Sequence, residues 1–155
     1  MPKFSITRRV DFTVDQAFAI AADVASYKEF LPLLKRSIIR GQIKRVGDTD
    51  IFDADLQIAF DKLGLRETFT SHVITDATHH CVTATSFDGP MKALKAVWNI
   101  LGTDDGKADV SITVDYTMKN KMLQMLVGGL TDFAAQKIMK AFEDRGKSLY
   151  GKALS

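Results

Sequence analysis

Two stretches of this chain alternate apolar and mostly polar residues. Phe52, Ala54, Leu56, Ile58 and Phe60 interleave with Asp53, Asp55, Gln57, Ala59 and Asp61. Further on, Ala108, Val110, Ile112, Val114, Tyr116 and Met118 interleave with Asp109, Ser111, Thr113, Asp115, Thr117 and Lys119. Successive side chains on a strand point to opposite faces, so this period predicts strands with one buried and one wet face, as antiparallel sheets allow. Weaker runs at 3–11, 37–45, 65–75, 80–87 and 93–101 also read as strands. Turn residues separate them at Val46-Gly47-Asp48, Lys62-Leu63-Gly64, Thr75-Asp76-Ala77, Asp88-Gly89-Pro90 and Thr103-Asp104-Asp105-Gly106. Connections this short favour hairpins, so six strands form a meander that the first strand joins as a seventh.

Helical periods occupy the two ends of the meander. Thr13 or Asp15 can cap a helix through Phe18, Ile20, Ala21 and Ala22. A short turn holding Tyr27 and Phe30 follows Ser26 and stops at Pro32. The last helix is predicted from near Asn120 to about Tyr150. Its stripe of Leu123, Leu126, Leu130, Ala134, Ile138, Ala141 and Leu149 opposes Lys121, Asp132, Gln136, Lys140, Glu143 and Lys147. The expected architecture is α+β, a single domain over 1–155. A strongly curved seven-stranded antiparallel sheet wraps around a long C-terminal helix, with two short helices after the first strand. A curved sheet cannot close tightly on one straight helix, so a cavity suited to small apolar ligands is expected between them.

The run from Met122 to Leu130 is apolar nearly all round and ends in Gly128-Gly129-Leu130. Glycine inside a helix costs about 1 kcal/mol against alanine. The pair therefore signals a close backbone approach, a loosened gate, or a helix that truly starts near Leu130. Plain core packing, a ligand portal and a membrane-touching edge all remain open for this segment.

Composition narrows the class. The chain has 155 residues, 46% hydrophobic and 26% charged with a net charge of +2, which suits one globular domain and not a disordered tail. The single cysteine excludes an internal disulfide and a cysteine zinc cage, and points to a reducing compartment, the cytoplasm. No apolar h-region follows the first nine residues, so no signal peptide is expected. The longest uncharged stretches, such as 122–131, are about half the ~20 residues of a membrane span. Membrane contact, if any, is peripheral, at the inner membrane.

Charge is more organised than its sum. Lys35, Arg36, Arg40, Lys44 and Arg45 precede Asp48, Asp50, Asp53, Asp55 and Asp61, and the terminal helix is net basic. Such a surface can meet anionic lipid or RNA phosphates, or pair internally across a hairpin. No aromatic residues interleave with it as a base-stacking platform, and DNA is not an expected partner.

Catalytic constellations are sparse. His79-His80-Cys81 places at most two ligands on one strand face, and His72 is the one remaining histidine, so no metal site is expected. Neither a Gly-x-Ser-x-Gly elbow nor a glycine-rich phosphate loop is present. Asp53 and Asp55 fall on the wet face. Glu67 shares its phase with Leu65, Phe69 and Val73, which makes it the carboxylate to watch.

Four segments carry a resemblance. They are Ala22-Asp23-Val24-Ala25-Ser26-Tyr27-Lys28-Glu29-Phe30-Leu31-Pro32 with Ser37 after it; Phe69-Thr70-Ser71; Asp88-Gly89-Pro90-Met91 with Leu94 and Trp98; and Asn120 with Phe133, Met139, Ala141-Phe142 and Arg145. On these the chain resembles the coenzyme Q-binding START-like family. That family sits within the polyketide cyclase/dehydrase-like helix-grip (START/Bet v 1-like) superfamily, which also includes bacterial ribosome-association toxins. Leu33-Leu34 stand where the family usually has Trp-Cys, and Met91 where it commonly has Phe.

The resemblance implies a non-enzymatic protein that holds a polyprenyl quinone, ubiquinone or a precursor, and supports respiration or quinone biosynthesis, with no other cofactor. It implies that Tyr27, Phe30, Leu31 and Leu34 border the pocket. It places Leu123, Leu126, Leu130 and Phe133 on the helix face opposite. Alternation alone adds Phe52, Leu56, Phe69, Trp98, Val110 and Ile112 as lining candidates. Tyr27, Ser71 and Glu67 are candidates to orient the quinone ring. Two alternatives stand beside this reading. One is a ribosome-binding protein that blocks subunit association through Lys35, Arg36 and Arg40. The other is a polyketide cyclase-like enzyme using Glu67.

Overall fold

The computed structural model describes residues 3–60, 64–129 and 131–154. Seven strands form one antiparallel sheet: β1 (Lys3–Val10), β2 (Leu34–Val46), β3 (Thr49–Phe60), β4 (Leu65–Asp76), β5 (Cys81–Ser86), β6 (Met91–Gly102) and β7 (Ala108–Met118). Their spatial order is β1-β7-β6-β5-β4-β3-β2, a six-strand meander closed at one edge by the first strand. Helix α1 (Val14–Ala22) and a 3₁₀ turn (Val24–Glu29) follow β1, and α2 (Lys121–Gly128) and α3 (Thr131–Leu154) follow β7. This is a helix-grip arrangement, as expected from the alternation.

Local chemistry explains the element boundaries. In β7 every second residue from Ala108 to Met118 is buried, so the alternation of the sequence is the alternation of the sheet. Thr13 caps α1 in a reciprocal box: its Oγ1 accepts from Gln16 N at 3.2 Å, and Gln16 Oε1 accepts from Thr13 N at 3.0 Å. Among the two capping candidates it is Thr13 that serves.

The C-terminal helix differs from expectation in two ways. It is two helices, with α2 ending at Gly128 and α3 starting at Thr131. A Cβ at Gly128 would meet nothing within 4 Å, so close backbone approach is not its reason there. The buried face of α3 is also rotated from the predicted stripe. Ala135, Met139, Phe142 and Gly146 are buried, while Leu149 is exposed. Aromatic stacking sets that rotation. Phe142 stacks between Trp98 (centroids 5.1 Å apart) and Phe12 (6.1 Å), and a Cβ at Gly146 would overlap the Phe12 ring. A stripe counted by hydrophobicity alone passes over Gly146, whose value lies in what it lacks.

The strands are unequal, and this shapes the sheet. The six-residue β5 pairs with β4 only over His72–Asp76, which leaves the first half of β4 paired on one side with β3. The loop after β5 covers that open edge. Asp88 accepts the Thr70 N–H with both carboxylate oxygens (3.0 and 3.1 Å), and Ser86 Oγ donates to the Thr70 carbonyl at 2.7 Å. A side-chain clamp thus takes the place of a strand partner at Thr70.

Candidate functional site

Between the concave face of the sheet and α3 lies a cavity of about 230 Å³. The inward row of each strand supplies one wall: Leu56 and Ile58 of β3, Phe69 and Val73 of β4, Val82 and Ala84 of β5, Leu94, Ala96 and Trp98 of β6, and Ile112 of β7. Val24, Tyr27 and the turn Leu31–Leu34 form one end, and Ile138 of α3 forms the roof. No charged side chain is among these residues.

The turn at that end is built by specific bonds. The Tyr27 hydroxyl donates to the Ala21 carbonyl. Ser37 Oγ donates to the Ala25 carbonyl at 2.9 Å and accepts from Lys28 N at 3.1 Å, fastening the 3₁₀ turn to β2. Phe30 packs edge-on against Tyr27 with centroids 6.0 Å apart. Arg145 of α3 lies over the Phe30 ring at 5.3 Å and reaches Glu29 at 3.3 Å, which straps the turn to the helix. Burial pushes the Tyr27 phenol well above its ordinary range, outweighing the neighbouring Trp98. The unfolded phenol ionises near pH 10, so above that pH the unfolded state releases a proton that the native state keeps, and stability falls as pH rises. The urea midpoint is expected to drop between pH 10 and 11, and to drop less in Tyr27→Phe.

Most of the predicted residues fall within the described structure. Tyr27, Leu31, Leu34, Leu56, Phe69, Trp98 and Ile112 stand on the cavity wall. Phe52 and Val110 are buried in the core but do not reach the wall, so alternation found their face and not their depth. Phe30 sits behind Tyr27. Phe133 is corrected outright: it is 62% exposed beneath the Lys137 ammonium, because the buried face of α3 is rotated away from it. The side chains of Leu123 and Leu126, and Leu130 altogether, lie outside the described residues.

The polar candidates separate clearly. Tyr27 spends its hydroxyl on Ala21. Glu67 is half-buried opposite Ile58 near one end of β4. Ser71 is fully buried, and its Oγ has no hydrogen-bond partner among the described residues. Asp53 and Asp55 face outward and bind His72 (2.9 Å) and Thr70 Oγ1 (2.7 Å). His79 folds back on Asp76 in the turn before β5, which holds that carboxyl below its usual range. Among the described residues, no three His, Cys, Asp or Glu side chains are placed to hold a metal ion.

On the surface, Lys35, Arg36 and Arg40 are exposed on β2, the edge strand. Arg40 lies 3.7 Å from Asp55, and Arg45 2.9 Å from Asp50 across the same hairpin. The hairpin thereby neutralises part of its own basic run. Among the described residues no helix is long and apolar enough to cross a membrane.

Comparison with known proteins follows the same lines. Residues 10–143 match the family described as polyketide cyclase / dehydrase and lipid transport. A ribosome association toxin RatA of Vibrio cholerae is 26% identical over 155 residues, covering 98% of this chain and 100% of that protein. The mitochondrial coenzyme Q-binding protein coq10 of Schizosaccharomyces pombe is 26% identical over 145 residues, covering 93% and 86%. Among solved structures, an 18 kDa protein of Caulobacter crescentus superposes with a TM-score of 0.81 at 26% identity, covering 97% of this chain and 99% of that one.

Proposed function

The chain belongs to the polyketide cyclase / dehydrase and lipid transport family, and from that premise we propose that it is a non-enzymatic binding protein for a polyprenyl quinone, held between the sheet and α3. One observation carries the reading: the cavity wall is made of apolar side chains from five strands' worth of inward rows, the turn and α3, with no charged group on it. Such a wall rewards an apolar ligand by roughly 0.8 kcal/mol for each CH₂ it buries and offers nothing to a phosphate or carboxylate. The similarity to a protein named for coenzyme Q binding supports the same class. At about 230 Å³ the cavity is smaller than the ~300–1,000 Å³ of typical ligand pockets. It suits a ring and the first isoprene units, with the remaining tail leaving through the opening. The role this supports is custody of the quinone for respiration or for its biosynthesis.

The test is organic extraction of the freshly purified protein, prepared from its own host, followed by mass spectrometry. A near-stoichiometric prenylated quinone is the expected result. Phospholipid alone, or an empty extract, would sink the quinone assignment.

A second reading rests on a different observation, the similarity over its full length to a ribosome association toxin. It assigns exposed Arg36 and Arg40 on β2 to contact with ribosomal RNA. Sedimentation with ribosomal subunits that weakens with added salt, and is lost in Arg36→Ser/Arg40→Ser, is its expected signature.

A further inference from the structure

The sheet register brings two unsatisfied donors to one row of the concave face, and α2 sets a third near it. Tyr116 on β7 pairs with Leu94 on β6, and Leu94 pairs with Ser86 on β5. The β4–β5 ladder pairs His72 with Thr85, so its next step sets Ser86 level with Ser71. Tyr116, Leu94, Ser86 and Ser71 therefore form one transverse row with side chains on the cavity side. Leu94 belongs to the cavity wall, and Ser71 sits between Phe69 and Val73, which also belong to it. Ser86 is committed to the Thr70 carbonyl. The other two hydroxyls are not: Ser71 is 0% exposed, Tyr116 3%, and neither oxygen has a partner among the described residues.

Gln124 of α2 adds the third donor. Its Oε1 accepts from Met118 N at 2.7 Å, which fixes the orientation of the amide, and leaves a buried Nε2 without a partner. Met118 is two residues from Tyr116 on the same face of β7. Buried polar groups are normally paired, and three left unpaired just behind an apolar cavity wall, none of them among the residues that line it, need a common reason.

We propose that the Ser71 and Tyr116 hydroxyls, with the Gln124 amide, are the polar recognition point for an oxygen-bearing headgroup, a ring carbonyl or alkoxy group, whose apolar part lies along the cavity wall. This deepens the quinone reading and rests on it. The three donors include no cation, and the Asp88 carboxylate lies 3.0 Å from Ser86 in the same row, so the site selects neutral oxygen acceptors over acids, and it assigns to Tyr116 the orienting role that Tyr27 cannot play.

The experiment uses Ser71→Ala/Tyr116→Phe and two probes, a ubiquinone with two isoprene units and the isoprenoid hydrocarbon farnesene. Binding is followed by the fluorescence of Trp98, the single tryptophan, which stands on the cavity wall, with farnesene measured by competition. The wild type is expected to bind both. In the double variant ubiquinone affinity should fall by roughly 25-fold or more, at about five- to tenfold per hydroxyl removed, while farnesene affinity stays within about twofold. The ligand-free variant should unfold at the same temperature as the wild type or higher, since it loses no hydrogen bond. Unchanged ubiquinone affinity, an equal loss for farnesene, or a less stable ligand-free variant would each overturn the site while leaving the quinone reading intact. A wild type that does not bind ubiquinone would remove both.

Discussion

Replacing Phe142 by alanine is expected to cost about 3–5 kcal/mol of stability, a large share of what a domain of this size possesses. Phe142 is fully buried and is the middle member of a three-ring stack, with Trp98 on one side and Phe12 on the other. Its removal opens a void that Phe12, already seated over Gly146, cannot fill without leaving its own place. The consequence reaches the cavity, because Trp98 is both a stack member and part of the cavity wall. Urea unfolding followed by Trp98 fluorescence should show a midpoint well below wild type, with a shifted native emission even before unfolding. A loss under 1 kcal/mol would mean that α3 is held to the sheet by its polar contacts instead, such as Arg8 to Glu143 at 3.2 Å.

The second large effect is expected from Gly89→Ala. Gly89 has φ +59, in the left-handed region, and a Cβ there would collide with the Thr68 backbone carbonyl. The loop cannot back away, since Asp88 beside it is clamped to Thr70 N by two hydrogen bonds. Strain and overlap together should cost about 2–4 kcal/mol. Gly106 provides the internal control. Its φ is +80, but a Cβ there meets nothing within 4 Å, so Gly106→Ala should cost only the backbone strain, about 1 kcal/mol. Equal losses in the two variants, measured by thermal unfolding, would show that the approach to Thr68 carries no energy.

These two positions also show what was legible in the sequence. The alternation of β7 and of the first part of β3, and the turn residues between strands, were enough to read the sheet and its meander, because each face of an antiparallel strand reads its own environment. The Asp88-Gly89-Pro90 turn was visible as punctuation, but its job of covering β4 at Thr68–Thr70 depends on β5 being short, which no local pattern states. The helix failed for the opposite reason. Counting hydrophobic residues pulled the predicted stripe through Leu149, although the true contact runs through Gly146, where the partner ring fills the gap.

At the site, inward phase identified Leu56, Phe69, Trp98 and Ile112 on the wall, together with Phe52 and Val110, which lie off it. Phase gives a direction and says nothing about how far the core extends before space begins. Tyr116 was equally visible as an inward residue. Its significance came only from the register that sets it in line with Ser71, and from hydroxyls that find no partner.

The edge position of β2 gives its cations a second meaning. A strand at the border of a sheet carries a row of backbone donors and acceptors that another chain can extend, and such borders nucleate aggregation. Here the border strand is thirteen residues long, loses register with β3 between Arg40 and Lys44, takes φ +72 at Gly41, and carries Lys35, Arg36, Arg40, Lys44 and Arg45. Like charges on two approaching copies repel, and the irregular register spoils the template. The same residues that suit an RNA surface thus act as gatekeepers of solubility, which means that variants stripped of them must be checked for self-association before any lost binding is credited to a missing contact.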